Sequence, residues 1–306
     1  MTPLPSTSSR TIPRHAGVWL PLVTPFKDDR LDEASLRRLV AAYARQVDGF
    51  VICATTGEAM ALSADEMRRV AELTHEELAR AGASARALIG LGGASTRGVL
   101  RALDTAGAWP GDGFLVACPY YVRPSQEGLR LHFEAIADAT DADILIYNIP
   151  YRTGVNLAND TLLALAGTRP NVVGVKDCCA DREQSRDLIR RKPAHFAVLT
   201  GEDAGFAAAL EDGADGGVLA SAHIGPQRFT ALRGLSGAAR IAAWTPLAAI
   251  PELLFAEPNP APLKYCLWRM GLIDSPEVRL PMTPVSPALA ARLDAALGGR
   301  WLASAA

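Results

Sequence analysis

A (β/α)8 barrel with an appended C-terminal helical region is the fold that this 306-residue sequence predicts, and three observations carry it. Short apolar, β-branched runs alternate with longer segments of helical period. There are eight such runs, the number that closes a barrel. The alternation then stops near residue 225, and only helical patterns joined by Pro-rich links follow. A doubly wound open sheet is the competing architecture. Hydrophobic residues make up 49% and charged residues 21%, a composition that builds a core and argues against disorder. A chain of this length fits a single barrel.

In order, residues 1–11 are polar and Pro/Ser-rich, without the apolar stretch of a secretory signal, and read as a loose tail. Strands are expected at 18–23, 50–53, 87–91, 114–118, 144–147, 172–176, 197–200 and 217–219. Helices are expected between them at 32–47, 63–81, 96–106, 125–139, 159–165, 181–191 and 204–211. Ser63-Ala64-Asp65-Glu66 has the form of a capping box, and Ser125 after Pro124 marks another helix start. Helical patterns at 228–244, 246–256, 261–270 and 286–296 complete the chain. The division is therefore a barrel at 12–226 and a helical region at 227–306.

Composition limits the function classes. A net charge of −2 gives no electrostatic pull toward nucleic acid or an anionic membrane, and no run reaches the ~18 apolar residues of a membrane span. Cys53, Cys118, Cys178, Cys179 and Cys266 are odd in number and lack C-x-x-C spacing, which suits reduced thiols in the cytoplasm. His15, His75, His132, His195 and His223 show no zinc-site spacing, so no metal is expected, and His132 and His223 read as surface or cap residues. Gly90-Leu91-Gly92-Gly93 lacks nucleotide-loop spacing and reads as a tight strand-to-helix turn. Of the 31 cationic side chains only Lys27, Lys176, Lys192 and Lys264 are lysines. A lysine kept in apolar surroundings then asks for its own explanation.

Barrel chemistry sits at the C-terminal ends of the strands, and there this sequence turns polar. Lys176 ends the apolar run Asn-Val-Val-Gly-Val-Lys; burial disfavours its charged form, and a neutral amine can attack a ketone to give an imine. The plainer reading is an ion pair with Asp177. Tyr147 ends the preceding strand and can move protons at such an imine, with Thr55 and Tyr121 as hydroxyls for a relay; packing with the phenol on a backbone carbonyl is the commoner fate of a tyrosine. The Thr55-Thr56-Gly57 turn offers N–H and O–H groups to a small carboxylate. Arg152 is able to hold a second carboxylate through a forked hydrogen bond. Gly201 and Leu219 end the last two strands.

Ordered along nearly the whole chain are LVTPF (22–26), TTGE (55–58), PYYVRPSQEGL (119–129), YNIPYRTG (147–154), GVKD (174–177), TGED (200–203), EPNPAPLK (257–264) and RLPMTP (279–284). As a set they resemble the pyruvate-dependent class I aldolase superfamily of dihydrodipicolinate synthase and N-acetylneuraminate lyase. Within it they are most similar to the 4-hydroxy-tetrahydrodipicolinate synthase branch, because Arg152 follows Tyr-Asn-x-Pro-x.

The resemblance implies a lyase that joins pyruvate to L-aspartate 4-semialdehyde in lysine and diaminopimelate biosynthesis, with no metal or organic cofactor. Lys176 would carry the imine and Tyr147 the proton transfer. Thr55 and Tyr121 would complete the relay, Tyr121 donated by a neighbouring subunit of a homotetramer or dimer. Thr56, Gly201 and the backbone at Leu219 would contact pyruvate, and Arg152 the carboxylate of the aldehyde. Ala54, Pro21 and Val122 depart from the family pattern around the pocket. Positions that are polar in lysine-inhibited members hold Ala59, Met60, Ala64, Met67, Ala94 and Gly98, which implies weak or absent inhibition by L-lysine. Two alternatives stay open: the same imine chemistry on another aldehyde or keto sugar acid, as in neuraminate lyases and keto-deoxy sugar acid aldolases, and a non-catalytic keto-acid-binding barrel.

Overall fold

Eight parallel strands close into a barrel in the computed structural model, which describes residues 12–298. They are β1 (Gly17–Pro21), β2 (Gly49–Ile52), β3 (Arg86–Leu91), β4 (Phe114–Ala117), β5 (Ile144–Asn148), β6 (Val172–Asp177), β7 (Ala197–Thr200) and β8 (Gly216–Val218). Each pairs with its sequence neighbours, and β8 returns to β1 through Gly17–Gly216, Val18–Gly217 and Trp19–Val218. The expected 1–11 tail lies outside the described residues.

Each strand is followed by a helix: α1 (Glu33–Tyr43), α2 (Ala64–Ala81), α3 (Thr96–Ala106), α4 (Gln126–Ala137), α5 (Asn159–Thr168), α6 (Arg182–Arg191), α7 (Phe206–Asp212) and α8 (Pro226–Ala231). Their boundaries follow local capping chemistry. Asp32, Ser63, Ser95, Ser125 and Asp181 each accept a first-turn N–H, and Ser63 with Glu66 completes the capping box. Four further helices follow, α9 (Gly237–Trp244), α10 (Ala249–Leu254), α11 (Ala261–Arg269) and α12 (Pro287–Ala296); Ile250, Leu263, Leu267 and Leu293 from the last three, with Leu247 from the link before α10, join the core between strands and helices. That core spans both sides of the 226/227 division, and α8 straddles it. We therefore propose the division as a seam within one core.

Three local expectations are corrected and one unforeseen element appears. The single helix expected at 228–244 is two, because the chain between α8 and α9 extends at Leu235 and takes a left-handed turn at Gly237 (φ +52°). A two-stranded hairpin, Phe26–Lys27 with Arg30–Leu31, follows β1, its turn made by Asp28 and Asp29 at positive φ. Gly90 and Leu91 finish β3 and belong to no turn. His132 and His223 are buried side chains: His132 Nδ1 lies 2.9 Å from Thr96 Oγ1, and His223 Nδ1 lies 2.9 Å from the Ala220 carbonyl.

Inside the barrel, seven strands supply apolar plugs: Trp19, Val51, Leu88, Leu115, Leu145, Leu199 and Val218, with Tyr147 and Ala197 in the same cluster. The sixth, β6, does not. At the level of Leu145 it places Gly174, where a Cβ would stand 2.6 Å from Leu145 Cδ1. Two residues on, and so on the same inward face, comes Lys176.

Burial lowers the pKa of His132 from 6.5 to about 4. Between those values the unfolded chain takes up a proton that the folded chain refuses, so this histidine costs stability at low pH and the cost fades as pH rises toward 6.5. Relative to His132→Gln, wild-type stability is expected to improve by up to ~3 kcal/mol between pH 4 and pH 7. Urea unfolding of both proteins across that range measures the difference; parallel curves would contradict it.

Candidate active site

Lys176 lies beside Tyr147 of β5 and Leu199 of β7 in the sheet register, and its Nζ stands 4.2 Å from the centroid of the Tyr147 ring. Both side chains are buried, at 6% exposure each. Room for the lysine arm comes from Gly201: a Cβ there would fall 2.6 Å from Lys176 Cε and 2.3 Å from Cys178 Sγ. Glycine at this position is a requirement of packing around the amine.

The electrostatics follow from burial. Desolvation lowers the Lys176 pKa; Cys178, Asp203 and Glu202 act the other way, and Arg152 adds to the lowering. Desolvation also raises Tyr147 well above the ordinary tyrosine value, with Thr55 as a hydrogen-bond partner that opposes the rise. Tyr147 is therefore a protonated phenol at neutral pH, next to an amine that gives up its proton more readily than an exposed lysine. Asp203 is raised to about 6 by burial, while the Ser221 N–H, 2.5 Å from its Oδ1, favours the charged form. Asp177 takes no part in this pocket as an ion pair of Lys176. It accepts from Ser185 Oγ at 2.6 Å and from Asn148 Nδ2 at 3.3 Å.

A cavity of about 840 Å³ opens at the C-terminal ends of the strands, and Tyr147 lines it, whereas Lys176, Thr56, Gly201 and Leu219 are not part of its lining. Thr55, Tyr121, Tyr147, Tyr151 and Arg152 line one part of it, and Ala59, Met60, Met67 and Leu91 give it an apolar wall. Tyr147 is the link between amine and cavity: it touches Lys176, hydrogen-bonds Thr55 and shares the cavity lining with Tyr121 and Arg152. Tyr121 is 90% exposed and has φ +73°, a conformation non-glycine residues adopt only under constraint. Thr56 is buried beside the cavity, and its Oγ1 accepts from Asn259 Nδ2 at 2.9 Å, leaving its own proton to donate. Leu219 is buried, its N–H donating to the Trp19 carbonyl at 2.9 Å. Glu202 and Asp203 of the strand-end motif TGED also act on the amine, as does Cys178, which the sequence marks only as a reduced thiol.

The Dihydrodipicolinate synthetase family model matches residues 14–298. The chain belongs to this family. It is 41% identical to 4-hydroxy-tetrahydrodipicolinate synthase 2 of Clostridium acetobutylicum over 285 residues, covering 91% of this chain and 98% of the relative. Among solved structures it superposes on a protein described as the first monomeric dihydrodipicolinate synthase variant with a TM-score of 0.89, at 31% identity, covering 95% of this chain and 98% of that one. The chloride-inhibited dihydrodipicolinate synthase of Acinetobacter baumannii, solved with pyruvate, gives a TM-score of 0.87 at 34% identity, covering 92% and 98%. For a member of the dihydrodipicolinate synthetase family, an inward lysine beside a phenol is the chemically informative part of the barrel.

Only four lysines are present, so reductive methylation with ¹³C-formaldehyde gives few resonances to assign. The Lys176 signal, identified by its loss in Lys176→Ala, is expected to titrate below the ordinary lysine value of 10.5. A titration at or above that value would contradict the burial argument.

Proposed function

We propose that this chain is a Schiff-base lyase that condenses pyruvate with L-aspartate 4-semialdehyde to 4-hydroxy-tetrahydrodipicolinate. The observation that carries the reading is the desolvated amine of Lys176 held 4.2 Å from the ring of Tyr147, which lines a cavity together with Thr55 and Arg152. Lys176 Nζ attacks the ketone carbon of pyruvate, and loss of water leaves the imine. A proton leaves the pyruvate methyl group to give the enamine, with Tyr147, Thr55 and Tyr121 as the relay to solvent. The enamine carbon attacks the aldehyde carbon, and the resulting alkoxide takes up a proton. The adduct's amine then attacks the imine carbon and expels Lys176, which closes the ring and frees the enzyme. Thr56, Gly201 and the Leu219 backbone hold pyruvate in this scheme, while Arg152 holds the carboxylate of the semialdehyde. The protein needs no cofactor beyond its own lysine.

The exposure of Tyr121, Val122, Met60 and Tyr151 around the cavity mouth supports a homo-oligomer, dimer or tetramer, in which a neighbour's Tyr121 completes the relay. Five free cysteines support a cytoplasmic setting. No helix among the described residues is long and apolar enough to cross a membrane.

Pyruvate with borohydride is expected to leave a stable adduct on wild type and none on Lys176→Ala, read by intact-protein mass. Arg152→Ala is expected to lower kcat/KM for the semialdehyde by about 10–100-fold, the worth of a charge-assisted hydrogen-bond pair, while the adduct still forms. An adduct without turnover of the semialdehyde would move the reading to another aldehyde or keto sugar acid, and no adduct at all to a non-catalytic keto-acid-binding barrel. L-lysine offers a separate check. Ala59, Met60 and Met67 give its zwitterion no polar partner beside Thr55, so inhibition is expected to be weak or absent; half-inhibition at submillimolar L-lysine would overturn this.

A further inference from the structure

The turn at 55–58 carries two of the proposed site hydroxyls, yet the barrel supplies only part of what holds it. Thr24 Oγ1 donates to the Gly57 carbonyl at 2.7 Å, and the Glu58 N–H donates to the Thr55 carbonyl at 3.1 Å. Thr55 also hydrogen-bonds Tyr147, and the Glu58 carbonyl accepts from the Ala61 N–H at 2.8 Å. Further contacts come from the C-terminal region. Asn259 donates to Thr56 Oγ1. Lys264 of α11, fully buried, places Nζ 2.5 Å from Glu58 Oε1, and the backbone N–H of Arg279 donates to Glu58 Oε2 at 2.9 Å. Lys264 also donates to the Glu277 carbonyl at 2.8 Å, and its Nζ lies 4.1 Å from the Phe26 ring centroid.

Two features make this arrangement more than a filling for the core. Glu58 is left-handed at φ +53°, a conformation that costs a non-glycine residue energy and that only its surroundings maintain. And a buried ion pair recovers little net stability over an apolar pair of the same volume, since desolvation offsets the Coulomb attraction; what it supplies is one fixed geometry. Here the fixed geometry is that of a carboxylate one peptide unit beyond Gly57 and two residues beyond Thr56.

We infer that Lys264 is a positioning residue for the pyruvate end of the site: through Glu58 it fixes the turn at 55–58 and with it the directions of the Thr55 and Thr56 hydroxyls. The inference rests on the proposed function above and adds to it a residue that touches no substrate. Lys176 is the lysine that reacts; Lys264 is the lysine that aims the hydroxyls around it.

The test is steady-state kinetics on the full-length protein with Lys264→Met, Glu58→Gln and the double variant. Lys264→Met is expected to lower kcat/KM for pyruvate by about tenfold or more and to raise the pyruvate KM, with a smaller fall in kcat/KM for the semialdehyde. Glu58→Gln is expected to act in the same direction, and the double variant to fall no further than the worse single one, because both break one strut. A merely structural role reduces the active fraction, which scales both kcat/KM values equally and leaves KM unchanged; that result would overturn the inference. Should Lys264→Met fail to fold, Asn259→Ala decides, since Asn259 is only partly buried. A raised pyruvate KM supports the clamp, and an unchanged one overturns it. Failure of wild type to trap pyruvate with borohydride is a separate outcome, and it strikes the proposed function.

Discussion

Placing a primary amine inside a closed barrel is the constraint on which this architecture turns. Seven strands close the interior with apolar side chains, the β6 position level with Leu145 is left to Gly174, and the next inward residue of that strand is Lys176. Water is excluded from below by those plugs and from the sides by the sheet. An ammonium there has lost its hydration without gaining a carboxylate as direct partner, which is why its proton is held loosely. Gly201 is small, Tyr147 lies flat against the amine and Asp177 faces away. Each follows from keeping the lysine desolvated and unpaired.

Around that amine the charges are graded. Asp203, with its pKa raised to about 6, and Glu202, also raised by burial, lie close enough to act on Lys176, while Arg152 at the rim acts in the opposite sense. The interior thus avoids a full buried ion pair at Lys176, whereas Lys264 accepts one with Glu58. Lysines of one chain therefore serve opposite ends: isolation in one case and a fixed bond in the other.

Much of this was legible in the sequence. The eight β-branched runs fell where the strands are because parallel barrel strands are buried on both faces and read as continuous apolar stretches. Serine and aspartate caps set the helix starts because their oxygens satisfy first-turn N–H groups wherever the tertiary fold lies. The split between α8 and α9 was hidden because Gly234 and Gly237 interrupt a pattern whose apolar spacing continues across them. His132 and His223 were misread because polar residues ordinarily stay at the surface, and only the packing reveals that single backbone or hydroxyl partners hold them inside. For the site, a strand-end lysine among few lysines was a sound pointer to Lys176. The same scarcity applied to Lys264, which is buried more completely, and nothing local to α11 links it to Glu58. That contact joins residues far apart in the chain, and one-dimensional pattern carries no record of it.

The position of those distant contacts along the chain has a consequence for the order in which the molecule becomes competent during synthesis. The eight strands, Lys176 and Tyr147 are all encoded before residue 220, and a growing chain folds from its N-terminal side. Asn259, Lys264 and Arg279, which fasten the turn at 55–58, emerge last. A nascent chain that has closed its barrel therefore still has an unfastened turn at 55–58, and in the proposed reaction its amine would meet carbonyl compounds before the Thr55 and Thr56 hydroxyls are set. Completion of the C-terminal helices is the event that fastens the turn beside an amine already enclosed.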